Sequence, residues 1–145
     1  TRAMVVTILG RYDGVDLAGY ADSAFSDVVS DSWYGGYVAW AADKGIVSGM
    51  SDEEFAPNDN VTREQLAAIL FRYAKLKGVE NKIESADDFS DSANVSDWAR
   101  EAVLWAKGSK IISGMGDGRF APTEQATRAQ FAVILMGFDA LIENK

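Results

Sequence analysis

Three arginines recur in one local setting: Thr1-Arg2-Ala3-Met4, Thr62-Arg63-Glu64-Gln65 and Thr127-Arg128-Ala129-Gln130. In each, the Thr stands where a helix N-cap is expected and the Arg at or near the first helical position. The helix macrodipole disfavours a cation there by about 0.3–1 kcal/mol, so its repetition calls for a compensating partner. Free backbone N–H groups and a guanidinium fork together suit a carboxylate held by bidentate contact. An ion pair with Asp27 or Asp91 of the same repeat explains the spacing equally well. The two uses are compatible if the acid orients the arginine.

The aromatic residues divide by position. Trp33 and Trp98 stand at helix starts rather than inside an apolar stripe, where an indole face either stacks on a sugar ring or joins the core. Trp40 and Trp105, seven residues later, fall on the apolar stripe and read as core. Gly49 and Gly114 follow an apolar pair in matched turns, which calls for a positive φ there and leaves room for a ligand to approach the backbone. The acidic run Ser51-Asp52-Glu53-Glu54 lacks calcium-loop spacing, and its counterpart Gly116-Asp117-Gly118-Arg119 has a single carboxylate, so both read as solvated loops without a metal.

These residues belong to a long internal repeat. Phe25-Ser26-Asp27 answers Phe89-Ser90-Asp91, Ile46-Val47-Ser48-Gly49-Met50 answers Ile111-Ile112-Ser113-Gly114-Met115, and Phe55-Ala56-Pro57 answers Phe120-Ala121-Pro122. The chain opens within a repeat, giving a C-terminal half unit over 1–20, a second unit over 21–84 and a third over 85–145. Apolar residues at i, i+3, i+4 and i+7 after each Thr-Arg predict three equivalent helices: Val5, Ile8, Leu9, Tyr12; Leu66, Ile69, Leu70, Tyr73; Phe131, Ile134, Leu135, Phe138. Gln65 and Gln130 complete capping boxes, whereas Met4 breaks the first. A second helix type is predicted over Trp33–Lys44 and Trp98–Lys107, with Asp31 or Ser32, and Ser96 or Asp97, as caps. Segments 13–24 and 80–88 read as polar connectors. The fold class is all-α, with tandem helix–loop–helix repeats in a pseudo-threefold bundle.

The 145 residues contain no His and no Cys, which removes imidazole bases, thiolate nucleophiles and common structural zinc sites. Acids that recur in each repeat would act as copies, not as one asymmetric acid/base pair, so repetition favours binding over catalysis. No cofactor is implied. A net charge of −8 opposes broad attraction to nucleic acid or anionic lipid, and no apolar run is long enough to span a membrane. A chain that begins at Thr1 without a leader reads as an excised or mature segment.

The motifs Phe25-Ser26-Asp27-Val28, Trp33, Gly45-Ile46-Val47-Ser48-Gly49, Phe55-Ala56-Pro57 and Thr62-Arg63-Glu64-Gln65 together resemble the S-layer homology module of bacterial cell-surface proteins. That resemblance implies an extracellular, non-catalytic anchor that holds an attached exported protein to a secondary cell-wall polysaccharide, often pyruvylated. It assigns the polymer to grooves between repeats and to the Arg of each Thr-Arg motif, Arg2, Arg63 and Arg128. On the reading of the residues themselves, Trp33 and Trp98 pack on the sugar, Gly49 and Gly114 shape the pocket, and Asp27 and Asp91 orient the arginines. Lys110 departs from the pattern by replacing the first turn glycine of the last unit. The alternative is a structural protein-interaction or self-assembly module, in which the half unit leaves a face for a partner or a homo-oligomer.

Overall fold

A computed structural model describes residues 1–79, 89–112 and 118–143. Among these the chain forms five α-helices, α1 Arg2–Asp13, α2 Gly35–Asp43, α3 Arg63–Leu76, α4 Arg100–Gly108 and α5 Arg128–Glu143. No strand occurs among them; an isolated antiparallel bridge joins Thr62 and Gln125. None of these helices is long and apolar enough to cross a membrane. The predicted connector over 80–88 lies outside the described residues, and the 13–24 connector contains a 3-10 turn, Leu17–Gly19, begun by Asp16 accepting from the Ala18 N–H at 3.0 Å.

The helices fall into two compact units, Thr1–Asn60 and Val61–Lys145. The boundary lies between a Phe-Ala-Pro loop and the next Thr-Arg helix. In the first unit α1 packs on α2, and in the second α3 packs on α4. The Thr-Arg helices α1 and α3 are therefore each built together with the aromatic helix and loop that follow them in sequence.

Capping explains the helix starts. Thr62 Oγ1 accepts from the Gln65 N–H at 3.3 Å while Gln65 Oε1 accepts from the Thr62 N–H at 3.0 Å, and Thr127 and Gln130 repeat the pair. Met4 does not break the first box: Thr1 Oγ1 accepts from its N–H at 3.2 Å, and the Thr1 amine reaches its sulfur, a weak acceptor, at 3.6 Å. The second helix type starts two residues later than its tryptophans predict. Ser32 Oγ accepts from the Gly35 N–H at 3.1 Å, and a 3-10 turn Asp97–Ala99 leads into α4. Ser96 does not cap this turn with its side chain; its N–H and hydroxyl donate to Glu64 at 2.9 and 2.8 Å, tying the start of α3 to the segment before α4.

Trp40 and Trp105 are core residues, 2% and 0% exposed. Phe71 lies against Trp105 and Tyr73 against Phe138, with ring centroids 5.4 Å apart in each pair. The three apolar stripes are not equally covered. Ile8 and Tyr12 remain 37% exposed, because α1 turns Ala3, Val6, Thr7 and Gly10 inward toward its unit's core instead.

Lys110 carries a structural consequence of its departure from glycine. Gly45 has φ +70° in the turn after α2, and Lys110 holds the matched turn after α4 at φ +59°. A left-handed conformation costs a Cβ-bearing residue about 1–2 kcal/mol. Because the Lys110 side chain is exposed, Lys110→Gly is expected to stabilise the protein by about 0.5–1 kcal/mol after the larger unfolded-state entropy of glycine is set against that strain. The check is a higher urea midpoint at unchanged slope; an unchanged or lower midpoint would refute it.

Candidate functional site

The recurrent arginines are placed by the helix starts and received by the loops. Arg2 is buried, and its Nε donates to the Phe55 carbonyl at 2.8 Å and its Nη2 to the Ser48 carbonyl at 2.9 Å. Its guanidinium carbon stands 4.5 Å from the Phe55 ring centroid. Arg63, also buried, repeats the arrangement: Nε donates to the Phe120 carbonyl at 2.7 Å, with the guanidinium 5.2 Å from that ring. Desolvation lowers both arginine pKa values, against the opposing field of Asp59 and Asp27 for Arg2 and of Glu124 and Asp91 for Arg63. Both remain cations, since arginine does not deprotonate in proteins. Arg128 is exposed.

The acids take a different part from the ion pair the spacing allowed. Asp27 accepts from the Phe55 and Ala56 N–H groups at 2.8 and 2.7 Å, and Asp91 from those of Phe120 and Ala121, both at 2.8 Å. The neighbouring serines add to the clasp. Ser26 donates through N–H and hydroxyl to the Glu53 carbonyl, and Ser90 likewise to that of Gly118. Phe25 and Phe89 pack against Phe55 and Phe120 with centroids 5.5 and 5.1 Å apart. The Phe-Ser-Asp motif is thus a clasp on the Phe-Ala-Pro loop, where Ala56 and Ala121 both have φ +57°. It fixes the carbonyl that each arginine meets.

Trp33 and Trp98 lie on the surface, 56% and 57% exposed, and Trp33 meets Tyr34 edge-on at 5.0 Å. Gly49 corrects an expectation. Positive φ among the described glycines occurs at Gly14, Gly45, Gly78 and Gly118, not at Gly49. A Cβ on Gly49 would stand 2.2 Å from the Ser51 carbonyl oxygen and 2.4 Å from a Phe25 ring carbon, so close approach by the protein's own loop requires the glycine. The acidic turn beside it is self-bonded, with the Met50 and Ser51 N–H groups donating to the Glu54 carbonyl. Gly114 lies outside the described residues, as do Ser113, Met115 and Asp117.

In the second unit a cavity of about 310 Å³ opens beside this framework, lined by Arg63, Ile111, Ile112, Ala129, Gln130, Val133 and Ile134. It brings one recurrent arginine to an apolar wall and the start of α5. Arg128 and Trp98 do not line it. Sequence reasoning missed the loop carbonyls of Phe55 and Phe120 as arginine acceptors, because backbone groups leave no trace in residue types. It also missed buried Glu64, which only its contacts with Ser96 reveal.

The chain matches the S-layer homology domain family over residues 24–67 and 88–132, and it belongs to that family. It is 40% identical over 114 residues, 78% of the chain, to the amylopullulanase of Thermoanaerobacterium thermosulfurigenes, and 35% identical over 136 residues, 93% of the chain, to the endoglucanase of Bacillus sp. (strain KSM-635). It is also 33% identical over 147 residues, 99% of the chain, to the surface-layer 125 kDa protein of Lysinibacillus sphaericus. The match spans 6%, 14% and 12% of those three proteins, so the chain corresponds to a small module of much longer relatives. Membership places it among the modules that anchor proteins at the bacterial cell surface.

The clasp should be pH-sensitive. Burial pushes the Asp27 and Asp91 carboxyls up, but the backbone N–H groups they accept from, with the field of Arg2 and Arg119 respectively, bring both below the ordinary aspartate value. A depressed folded-state pKa adds stability that is complete above the unfolded value and lost as pH falls through the folded one, here below about pH 4. Asp91→Asn retains one acceptor but turns an amide N–H₂ toward a backbone N–H. It is expected to cost about 1–2 kcal/mol at pH 7 and to flatten the acid side of the stability profile measured by urea unfolding. A variant as stable and as acid-sensitive as the parent would refute the clasp.

Proposed function

We propose that the chain is a non-catalytic anchor that holds an attached exported protein to an anionic, pyruvylated secondary cell-wall polysaccharide, with its repeats in a pseudo-threefold bundle. The observation that carries the reading is the cavity in which Arg63 presents a cation among Ile111, Ile112, Val133 and Ile134. A ketal-linked pyruvate has that dual character: a carboxylate for the guanidinium and a methyl group for the apolar wall. Gln130 at the same wall supplies an amide for ring oxygens. In this reading Trp33 and Trp98 offer exposed indole faces to neighbouring sugars. Arg2, Asp27, Asp91 and Gly49 hold the loops in shape.

Several reasons favour binding over chemistry. The candidate groups recur as copies, the chain lacks imidazole and thiol, and relatives with such different names as amylopullulanase and surface-layer protein share this module. Repetition would also raise retention on a repetitive polymer without new contacts. The net charge of −8 opposes an anionic polymer at long range. Affinity must therefore come from local cation and apolar contacts.

Co-sedimentation with purified cell-wall polymer, before and after mild acid removal of the pyruvate ketals, tests the reading. The intact polymer is expected to retain the protein and the depyruvylated polymer to lose it. Combined Trp33→Ala and Trp98→Ala, at exposed positions that leave the core intact, should weaken retention by roughly three- to tenfold. Equal retention on both polymers would overturn the carboxylate assignment, and unchanged retention by the double variant would overturn the stacking assignment.

A further inference from the structure

The starts of α1 and α3 meet their loops through matching backbone bonds but differ at one buried side chain. The Arg2 and Ala3 N–H groups donate to the carbonyls of Asp59 and Pro57 at 2.8 and 3.0 Å, and those of Arg63 and Glu64 to Glu124 and Pro122 at 2.9 and 3.0 Å. Ala3 offers a methyl group and nothing more. Glu64, at the matching position, is 5% exposed, and its two carboxylate oxygens accept from the Ser96 N–H at 2.9 Å and the Ser96 hydroxyl at 2.8 Å. A carboxylate is costly to remove from water unless its oxygens meet donors. Capping of α3 does not call for this one, because Thr62 and Gln65 already close the box.

What Glu64 holds is the approach to an exposed tryptophan. Ser96 immediately precedes the 3-10 turn Asp97–Ala99, which has no side-chain cap of its own and packs on both α3 and α4. Trp98, at the centre of that turn, keeps its indole on the surface. In the first unit the position matching Ser96 is Asp31, which is exposed. The approach to Trp33 is held locally instead, by the Ser32 hydroxyl, which donates to the Val29 carbonyl and accepts from the Gly35 N–H. The two tryptophans are thus alike in sequence position and exposure but unlike in attachment. Trp98 is fastened by two hydrogen bonds to the residue that directly follows Arg63, the cation of the cavity.

We infer that Glu64 is a positioning residue for polymer binding: through Ser96 it fixes the Trp98 indole relative to Arg63, so that a carboxylate-bearing sugar in the cavity and its neighbour along the chain are received together. The inference rests on the proposed anchoring function and assigns its stronger half to Arg63 and Trp98. Glu64 itself touches no sugar; it acts through the indole. A stacking platform that is already held in place loses less freedom when a sugar settles on it than one held by a local turn. The tie is a departure from the internal repeat, which is why it distinguishes one tryptophan from the other.

The test is a double-mutant cycle on retention of the 145-residue protein by purified, pyruvylated cell-wall polymer. Glu64→Ala is expected to weaken retention by about three- to tenfold, as is Trp98→Ala, and the two together by no more than either alone. In a Trp33→Ala background the Glu64→Ala loss should persist. Ser96→Ala removes the hydroxyl donor, leaves the backbone N–H and should give an intermediate loss; it carries the test if Glu64→Ala does not fold. Urea unfolding establishes that the variants compared are folded. A Glu64→Ala loss of the same size with and without the Trp98 side chain would reveal a general structural role and overturn the inference. So would a folded Glu64→Ala protein that binds like the parent. A parent that is not retained by the intact polymer would instead overturn the anchoring function, and the inference with it.

Discussion

A guanidinium buried against a backbone carbonyl organises each unit of this protein. Removing an arginine head group from water is costly unless its donors are met. At Arg2 and Arg63 they are met by the carbonyl of a loop phenylalanine whose own ring lies beside the cation. That arrangement requires the loop to present its carbonyl inward, which in turn requires the left-handed turn at Ala56 and Ala121. The strain at those residues is offset by the aspartate that accepts from the two consecutive N–H groups. Arginine, loop and aspartate therefore form one cooperative device, and each of its parts is geometrically meaningless without the others.

The device also determines how repeats join. Every arginine-to-loop contact among the described residues runs from a Thr-Arg helix to the half-repeat after it, so the compact unit is displaced from the sequence repeat by about half a period. Stability in such an array resides largely in neighbour contacts. The matching face of α5 is differently placed, with Val133 and Met136 exposed among the described residues.

The placement of Arg63 joins structure to the proposed binding role. The same side chain that fastens the loop through Nε also lines the cavity with Ile111, Ile112 and Val133. A cation already desolvated and fixed loses little freedom on meeting a carboxylate, so under the proposed role the helix start would serve both as a joint and as a preorganised receptor wall. The bond to the loop carbonyl already gives a physical reason for an arginine at a position where the macrodipole disfavours it, and the proposed role would add a second.

Much of this was legible in the residues. The Thr-Arg starts, the capping boxes at Gln65 and Gln130, the core roles of Trp40 and Trp105 and the all-helical class follow from local hydrogen bonding and apolar periodicity, which a sequence encodes directly. Other features required the folded chain. Gly49, expected to need a positive φ, has to be glycine because the loop crosses it closely, and Asp27, weighed as a partner of the arginine, accepts from two backbone N–H groups while lying in the field of Arg2. Backbone carbonyls at Phe55 and Phe120 have no identity in a sequence, so the acceptors of Arg2 and Arg63 could not be read from it. Which face of each helix is covered depends on what the chain brings against it. The sequence determined that three equivalent arginines begin three equivalent helices; tertiary structure alone decided that two of them are buried joints and the third, Arg128, is left exposed.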